Sequence, residues 1–219
     1  FFSYKIYFFT KDFGCFLLNN HNVKQAWVSI KFYQNINIAI NNGSLVLDTR
    51  TPDDFEKGFI PGSINIGLNG MFAIWVGTVV DITKNLILVC DLGKEEESLL
   101  RLARVGYENV AGFIGGGFDS WKNAGKKVDT IKSIEPADLV GKVSEGASVL
   151  DVRKISEAEG GHITSATVIP LSELSENTGE IKTDEPLYVH CAGGYRSMIA
   201  ASILKAKGFN NVVNVHHGW

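Results

Sequence analysis

Leu187-Tyr188-Val189-His190-Cys191-Ala192-Gly193-Gly194-Tyr195-Arg196-Ser197 runs from a short apolar stretch, through small flexible residues, into the helical pattern of Met198 to Lys207. A strand that passes through a tight loop into a helix is the unit from which α/β sheets are built. The same loop carries the most distinctive chemistry of the chain. Its successive backbone N–H groups can turn inward toward the cysteine sulfur, and Gly193 and Gly194 lack the Cβ atoms that would obstruct that turn. The positive end of the helix and the guanidinium of Arg196 face the same point. A free thiol is only a few per cent ionised at neutral pH, so a nucleophilic cysteine needs surroundings of this kind. The alternative for a lone cysteine is burial as a small apolar residue; the Gly-Gly and Arg context argues against it.

Working outward, the chain repeats itself. Leu47-Asp48-Thr49-Arg50 followed by Gly58-Phe59-Ile60 matches Leu150-Asp151-Val152-Arg153 followed by Gly161-His162-Ile163 at a constant offset of 103. Gly106-Tyr107-Glu108-Asn109-Val110 matches Gly208-Phe209-Asn210-Asn211-Val212 at an offset of 102. That period is the size of a domain, not of a solenoid unit. In each copy short apolar runs (44–47 and 86–89; 147–150 and 187–189) alternate with helical patterns, before Gly106 in one and Gly208 in the other. The expected fold is α/β, with two tandem domains, each a mainly parallel sheet flanked by helices. The boundaries are set at 41–126 and 133–219, with Pro136 opening a new helix. Residues 1–40 form an N-terminal segment without a functional reading. Phe1 to Phe9 suggests a strand, and the asparagines from Asn35 to Asn42, with Gly43 behind them, predict a loop.

Composition narrows the function classes. A formal net charge of −3 shows no surface for nucleic acid or anionic membrane. No apolar run reaches the ~18–20 residues of a membrane span. Cys15, Cys90 and Cys191 are odd in number, far apart and without metal-ligand spacing, which favours a reducing, cytoplasmic setting over a disulfide framework.

Both copies resemble rhodanese domains. The resemblance covers roughly residues 40 to 219 and rests on the Asp-x-Arg after the first strand, the Gly-His-Ile segment, the Cys loop and Gly115-Gly116-Gly117-Phe118-Asp119-Ser120-Trp121. The second copy stops at Val215-His216-His217-Gly218-Trp219, where the first continues into a helical segment; a C-terminally shortened second domain is expected. More narrowly, 67–78 and Gly93-Lys94-Glu95-Glu96-Glu97 resemble rhodanese pairs fused behind metallo-β-lactamase-type hydrolases of the glyoxalase II or persulfide dioxygenase kind. That makes such a hydrolase a possible fused or associated partner. Its His-x-His-x-Asp-His metal pattern is absent from this chain.

The resemblance implies sulfur transfer through a Cys191 persulfide, from thiosulfate or a persulfide to a thiol or cyanide, with no metal or organic cofactor. Cys191 and Arg196 are the expected catalytic residues, with Ala192, Gly193, Gly194, Tyr195 and Ser197 forming the substrate cradle. Arg196 follows Cys191 with four residues between them, whereas cysteine phosphatases place five there; the shorter loop suits a single sulfur atom better than a phosphate. Thiosulfate-preferring relatives commonly carry a basic residue directly after the cysteine; Ala192 stands there in this chain. Asp151 and Arg153 are read as a structural ion pair or as direct participants, and His162 as a structural hydrogen bonder. Tyr195 is read as shaping the pocket mouth or as a surface loop residue. His190 is expected to point away from the sulfur. In the first copy, Cys90-Asp91-Leu92-Gly93-Lys94-Glu95-Glu96-Glu97 surrounds the thiol with carboxylates, which raise a thiol pKa. Cys90 is therefore expected to be structural and the first domain inactive, with Lys94 the one residue speaking for activity. A binding or regulatory module docking a hydrolase is the alternative to an enzyme.

Overall fold

The computed structural model describes residues 29–30, 33–181 and 185–218. The strand expected at Phe1 to Phe9 and the thiol Cys15 lie outside them. The first unit contains β1 (Ser29–Ile30), α1 (Tyr33–Asn41), β2 (Leu45–Asp48), α2 (Pro52–Lys57), β3 (Ile64–Asn65), α3 (Phe72–Val79), β4 (Leu86–Val89), α4 (Glu95–Ala103), β5 (Val110–Ile114) and α5 (Gly117–Asn123). The second contains β6 (Lys132–Ile134), α6 (Pro136–Ser144), β7 (Ser148–Asp151), α7 (Ile155–Glu159), β8 (Thr167–Val168), β9 (Leu187–His190), α8 (Tyr195–Ala206) and β10 (Val212–Val215).

The strand orders are β1-β5-β4-β2-β3 and β6-β10-β9-β7-β8, the same topology twice. Every strand pair in both sheets is parallel. Parallel strands need crossover helices, which cover both faces and bury the central strands completely. That is why Leu86 to Val89 and Leu187 to His190 read as continuous runs without alternation: all eight residues are buried. The expected two-unit α/β architecture is the one observed.

One expectation fails. The asparagine-rich stretch is α1, not a loop. Ile36 is fully buried in the first unit's core, with Ala39 and Ile40 packed against that core, an i, i+3, i+4 stripe, while Asn37 and Asn41 are exposed. With β1 pairing to β5 as well, the first unit reaches back into the segment set aside as 1–40.

The units are not beads on a string. The stretch joining them is stitched to the first: Phe59 and Asp129 exchange backbone hydrogen bonds at 2.9 and 3.0 Å. One core cluster runs through both, from Leu47, Phe72 and Leu102 to Leu150, Ile199 and Leu204. At its centre, α8 buries every residue from Ser197 to Leu204. A helix apolar on all sides must be covered on all sides. Its own sheet covers one face and β3 of the first unit lies against the other, where Ser202 Oγ accepts from Asn65 N at 3.0 Å. Burying Met198, Ile199, Ile203 and Leu204 contributes ~1.5–3 kcal/mol each.

Candidate active site

Cys191 follows the last residue of β9, and α8 begins four residues later. Ala192 and Gly193 are exposed, and Gly194 makes the turn into α8 with a left-handed φ of 81°. A side chain at Gly194 would also press on His217 N, 3.1 Å from where its Cβ would stand. Gly218 closes over the loop from the end of β10: a Cβ there would lie 2.1 Å from the carbonyl oxygen of Cys191. The loop is thus pinned by a second backbone segment.

Cys191 is 1% exposed. The Ser197 amide donates to its Sγ at 3.4 Å, the inward-turned N–H expected of the cradle. Ser197 also donates its hydroxyl to Gly194 O at 3.0 Å, bracing the first turn of α8. Arg196 is half-buried and forks onto Glu157, Nη1 to Oε2 at 2.7 Å and Nη2 to Oε1 at 2.8 Å. Glu157 holds the guanidinium pKa above its ordinary value, against the opposing effect of burial, with the nearby Cys191 sulfur acting in the same direction as Glu157. In return Arg196 pulls the Glu157 carboxyl down to about 2. Arg196 therefore faces the sulfur, as expected, but it arrives already paired.

Glu157 is the site residue that sequence reasoning missed. It occupies the third position of α7, where its Oε2 also accepts from Lys154 N at 3.1 Å. The signal was present: Asp54, its counterpart 103 positions earlier, likewise sits three residues after the residue preceding its helix.

The remaining expected site residues sort by comparison of the two units. Arg153 donates Nε to Asp151 Oδ1 at 3.0 Å and Nη2 to Oδ2 at 2.6 Å, and reaches Gly161 O at 2.9 Å. Arg50, Asp48 and Gly58 reproduce this clamp, with the Nη2 contacts again at 2.6 and 2.9 Å. The same clamp thus stands in both units. His162 sits outside the cradle, exposed, with Nδ1 3.0 Å from Ala158 O. His190 does point away from the sulfur, into an apolar groove of about 360 Å³ bounded by Leu139, Val143, Ile163 and Val215. Burial lowers its pKa, with Asp151 opposing. Tyr195 is not a free surface residue; its hydroxyl donates to Gly67 O of the first unit at 2.6 Å. His216 Nε2 lies 3.5 Å from Glu56 Oε2. Among the described residues no group of three or more His, Cys, Asp or Glu could hold a metal ion.

In the first unit the corresponding thiol is built differently. Cys90 donates to Ser98 Oγ at 3.4 Å, and Ser98 bonds in turn to Thr49 Oγ1 at 3.1 Å and Lys94 O at 2.8 Å. Burial pushes the Cys90 thiol up to about 11 against the opposing Ser98 and Thr49 hydrogen bonds, while Asp48 and Glu95 add less. The expected direction holds, and the expected cause is a minor one beside burial. Glu96 is exposed, Glu95 and Glu97 are partly buried, and Lys94 is occupied by Glu97 at 2.8 Å.

The sequence pattern described as the rhodanese-like domain matches residues 34–124 and, a second time, residues 135–219. The chain belongs to the rhodanese-like family. Its rhodanese-like relatives include the uncharacterized protein YqhL of Bacillus subtilis, 42% identical over 73 residues, which are 33% of this chain and 58% of YqhL. The putative sulfur carrier protein YrkF of the same organism is 39% identical over 74 residues, 34% of this chain and 40% of YrkF. The thiosulfate sulfurtransferase GlpE of Pseudomonas entomophila is 33% identical over 88 residues, 40% of this chain and 81% of GlpE. The chain thus spans 58% and 40% of the lengths of its two Bacillus relatives, and most of GlpE. No helix among the described residues is long and apolar enough to cross a membrane.

Proposed function

We propose that this chain is a sulfurtransferase that carries a sulfane sulfur on Cys191. One observation carries the reading: of the two described thiols, Cys191 alone accepts a loop amide and lies beside an arginine, while Cys90 is spent on Ser98. Relatives named thiosulfate sulfurtransferase and putative sulfur carrier protein support the same chemistry.

The reaction is two displacements at sulfur. The Cys191 thiolate attacks the outer sulfur of thiosulfate or a low-molecular-weight persulfide. The new S–S bond forms as the donor S–S bond breaks, and sulfite or a thiolate leaves with the electron pair. Cys191 is then a persulfide, held by the Ser197 amide and by Arg196. An acceptor thiolate or cyanide attacks the outer sulfur, and the electron pair of the broken bond returns to Cys191. Electrons balance between donor and acceptor, so the cycle needs no resident redox group. Because Ala192 supplies no charge beside the sulfur, a persulfide suits the site better than dianionic thiosulfate.

Burial sets a condition on this chemistry. With the sulfur 1% exposed and Arg196 paired to Glu157, the exposed Ala192–Gly193 turn must yield and the donor must share the guanidinium with Glu157. That same burial favours a second reading, in which the pair is a docking or regulatory module for a metallo-hydrolase. Incubating the full chain with thiosulfate or a persulfide and weighing it intact separates the two. The enzyme gains one sulfur atom, lost again in Cys191→Ser; the module gains none with any donor.

A further inference from the structure

One of the contacts that tie the two units together falls on the reactive loop. Tyr195 opens α8 immediately before Arg196, yet its side chain leaves the second unit altogether. Its hydroxyl donates to Gly67 O, 128 positions earlier, at 2.6 Å. Its ring lies against the turn from Gly67 to Gly70. A Cβ on Gly70 would stand 2.3 Å from the ring, and one on Gly67 would stand 3.0 Å from Arg50 O and 3.6 Å from the ring. Neither glycine has a left-handed backbone. Space, not backbone freedom, is what these positions require, for the tyrosine ring at Gly70 and for the Arg50 carbonyl at Gly67.

The turn is built to stay in place. Leu68 N donates to Thr49 O at 3.1 Å, and Leu68 O accepts from Arg101 Nη1 at 2.5 Å. Asn65 Nδ2 reaches Asp48 O at 3.1 Å and Arg50 O at 3.0 Å. The socket is therefore fixed to the end of β2 and to α4. Burial raises the Tyr195 pKa, which keeps the phenol a donor at any physiological pH. The feature is not a requirement of the fold. Lys94, the fourth residue after its cysteine as Tyr195 is after Cys191, is exposed and paired to Glu97 of the helix that follows it.

We infer that the first unit, whose own thiol is inert, serves as the seat of the reactive loop. The Gly67–Gly70 turn is a socket for Tyr195, which makes Tyr195 a positioning residue for Arg196 and Cys191. The loop is then held from two sides, by this socket and by Glu157 on Arg196. The inference rests on the sulfur-transfer reading of Cys191.

The test uses the full chain. Gly70→Ala should slow sulfur loading of Cys191 by about tenfold or more, since displacements of the order of 1 Å at a reacting group cost that much. The loss should fall on the maximal rate, with the donor concentration at half-saturation little changed. In a double-mutant cycle, Gly70→Ala added to Tyr195→Ala should bring no further loss, because the ring that the methyl displaces is gone. Tyr195→Phe, which introduces no clash, should show a smaller loss in the same parameter and serves if Gly70→Ala fails to fold. Unchanged loading in Gly70→Ala or in Tyr195→Phe, or losses that add, overturns the inference. If the unaltered chain takes up no sulfur from any donor, the transfer reading fails by itself. The alkylation rate of Cys191 by iodoacetamide, followed by peptide mass, then decides the socket by the same pattern of coupled or additive effects.

Discussion

The two units share a topology, an Asp-x-Arg clamp and a cysteine at the tip of a central strand, and they diverge within six residues of that cysteine. In the second unit Gly194 turns the chain so that the Ser197 amide meets the sulfur. In the first, α4 begins one residue later, at Glu95, and the sulfur meets the Ser98 hydroxyl. A serine hydroxyl that itself bonds Lys94 O and Thr49 is a fixed partner for a neutral thiol. A backbone amide can only donate, so it favours the anion. The fold places a sulfur at the same point twice; its hydrogen-bond partners differ between the two units.

The sharpest break of this comparison is at the thiols themselves. Cys191→Ser should abolish sulfur loading, and Cys90→Ser should leave it unchanged, as read by intact mass with the site mapped by peptide mass. The clamps should instead behave alike. Arg50→Met and Arg153→Met each leave a buried carboxylate unpaired and should each cost ~3–5 kcal/mol in denaturant unfolding. Unequal costs would mean that Arg153 has a role beyond the fold.

Next in size is Glu157→Gln, which weakens its hold on Arg196. The donor concentration at half-saturation should fall several-fold for an anionic donor while the maximal rate changes little; a rise would show that Glu157 is needed to aim the guanidinium. Acid should also separate the units. Glu157, at about 2 against an ordinary 4.5, and His190, below its ordinary 6.5, both take up protons more readily in the unfolded chain. The stability they contribute is present above those ordinary values. It is lost as pH falls, below 6.5 for His190 and between 4.5 and about 2 for Glu157. Thermal melts from pH 7 to pH 3 should show this decline, and Glu157→Gln should remove its lower part. Smallest is Ser98→Ala, which strips Cys90 and Thr49 of a buried partner and should cost ~1–3 kcal/mol without touching sulfur loading.

How much of this was legible in the sequence follows from the range of the interactions. The repeat, the central strands and the contrast between Cys90 and Cys191 are written in neighbouring residues, and so were readable. The helix α1 was not, because its asparagines signal a turn locally while Ile36, Ala39 and Ile40 find their partners only in the folded core. At Cys90 the carboxylates adjacent in sequence raise the thiol pKa less than burial does, and burial is set by the folded core, not by neighbouring residues. Glu157 was hidden by distance, 39 positions from Arg196, although its repeat partner Asp54 marked the place. The seat of Tyr195 on Gly67 joins residues 128 apart in different units, which no local pattern can announce.

The central claim is that one sulfur of the pair carries cargo and the other cannot. Its most direct test is intact-mass spectrometry of the full chain after exposure to glutathione persulfide, in parallel with Cys90→Ser and Cys191→Ser. The account predicts one added sulfur atom on the parent and on Cys90→Ser, removable by a thiol, and none on Cys191→Ser. Sulfur that persists in Cys191→Ser, or that maps to Cys90, would contradict it.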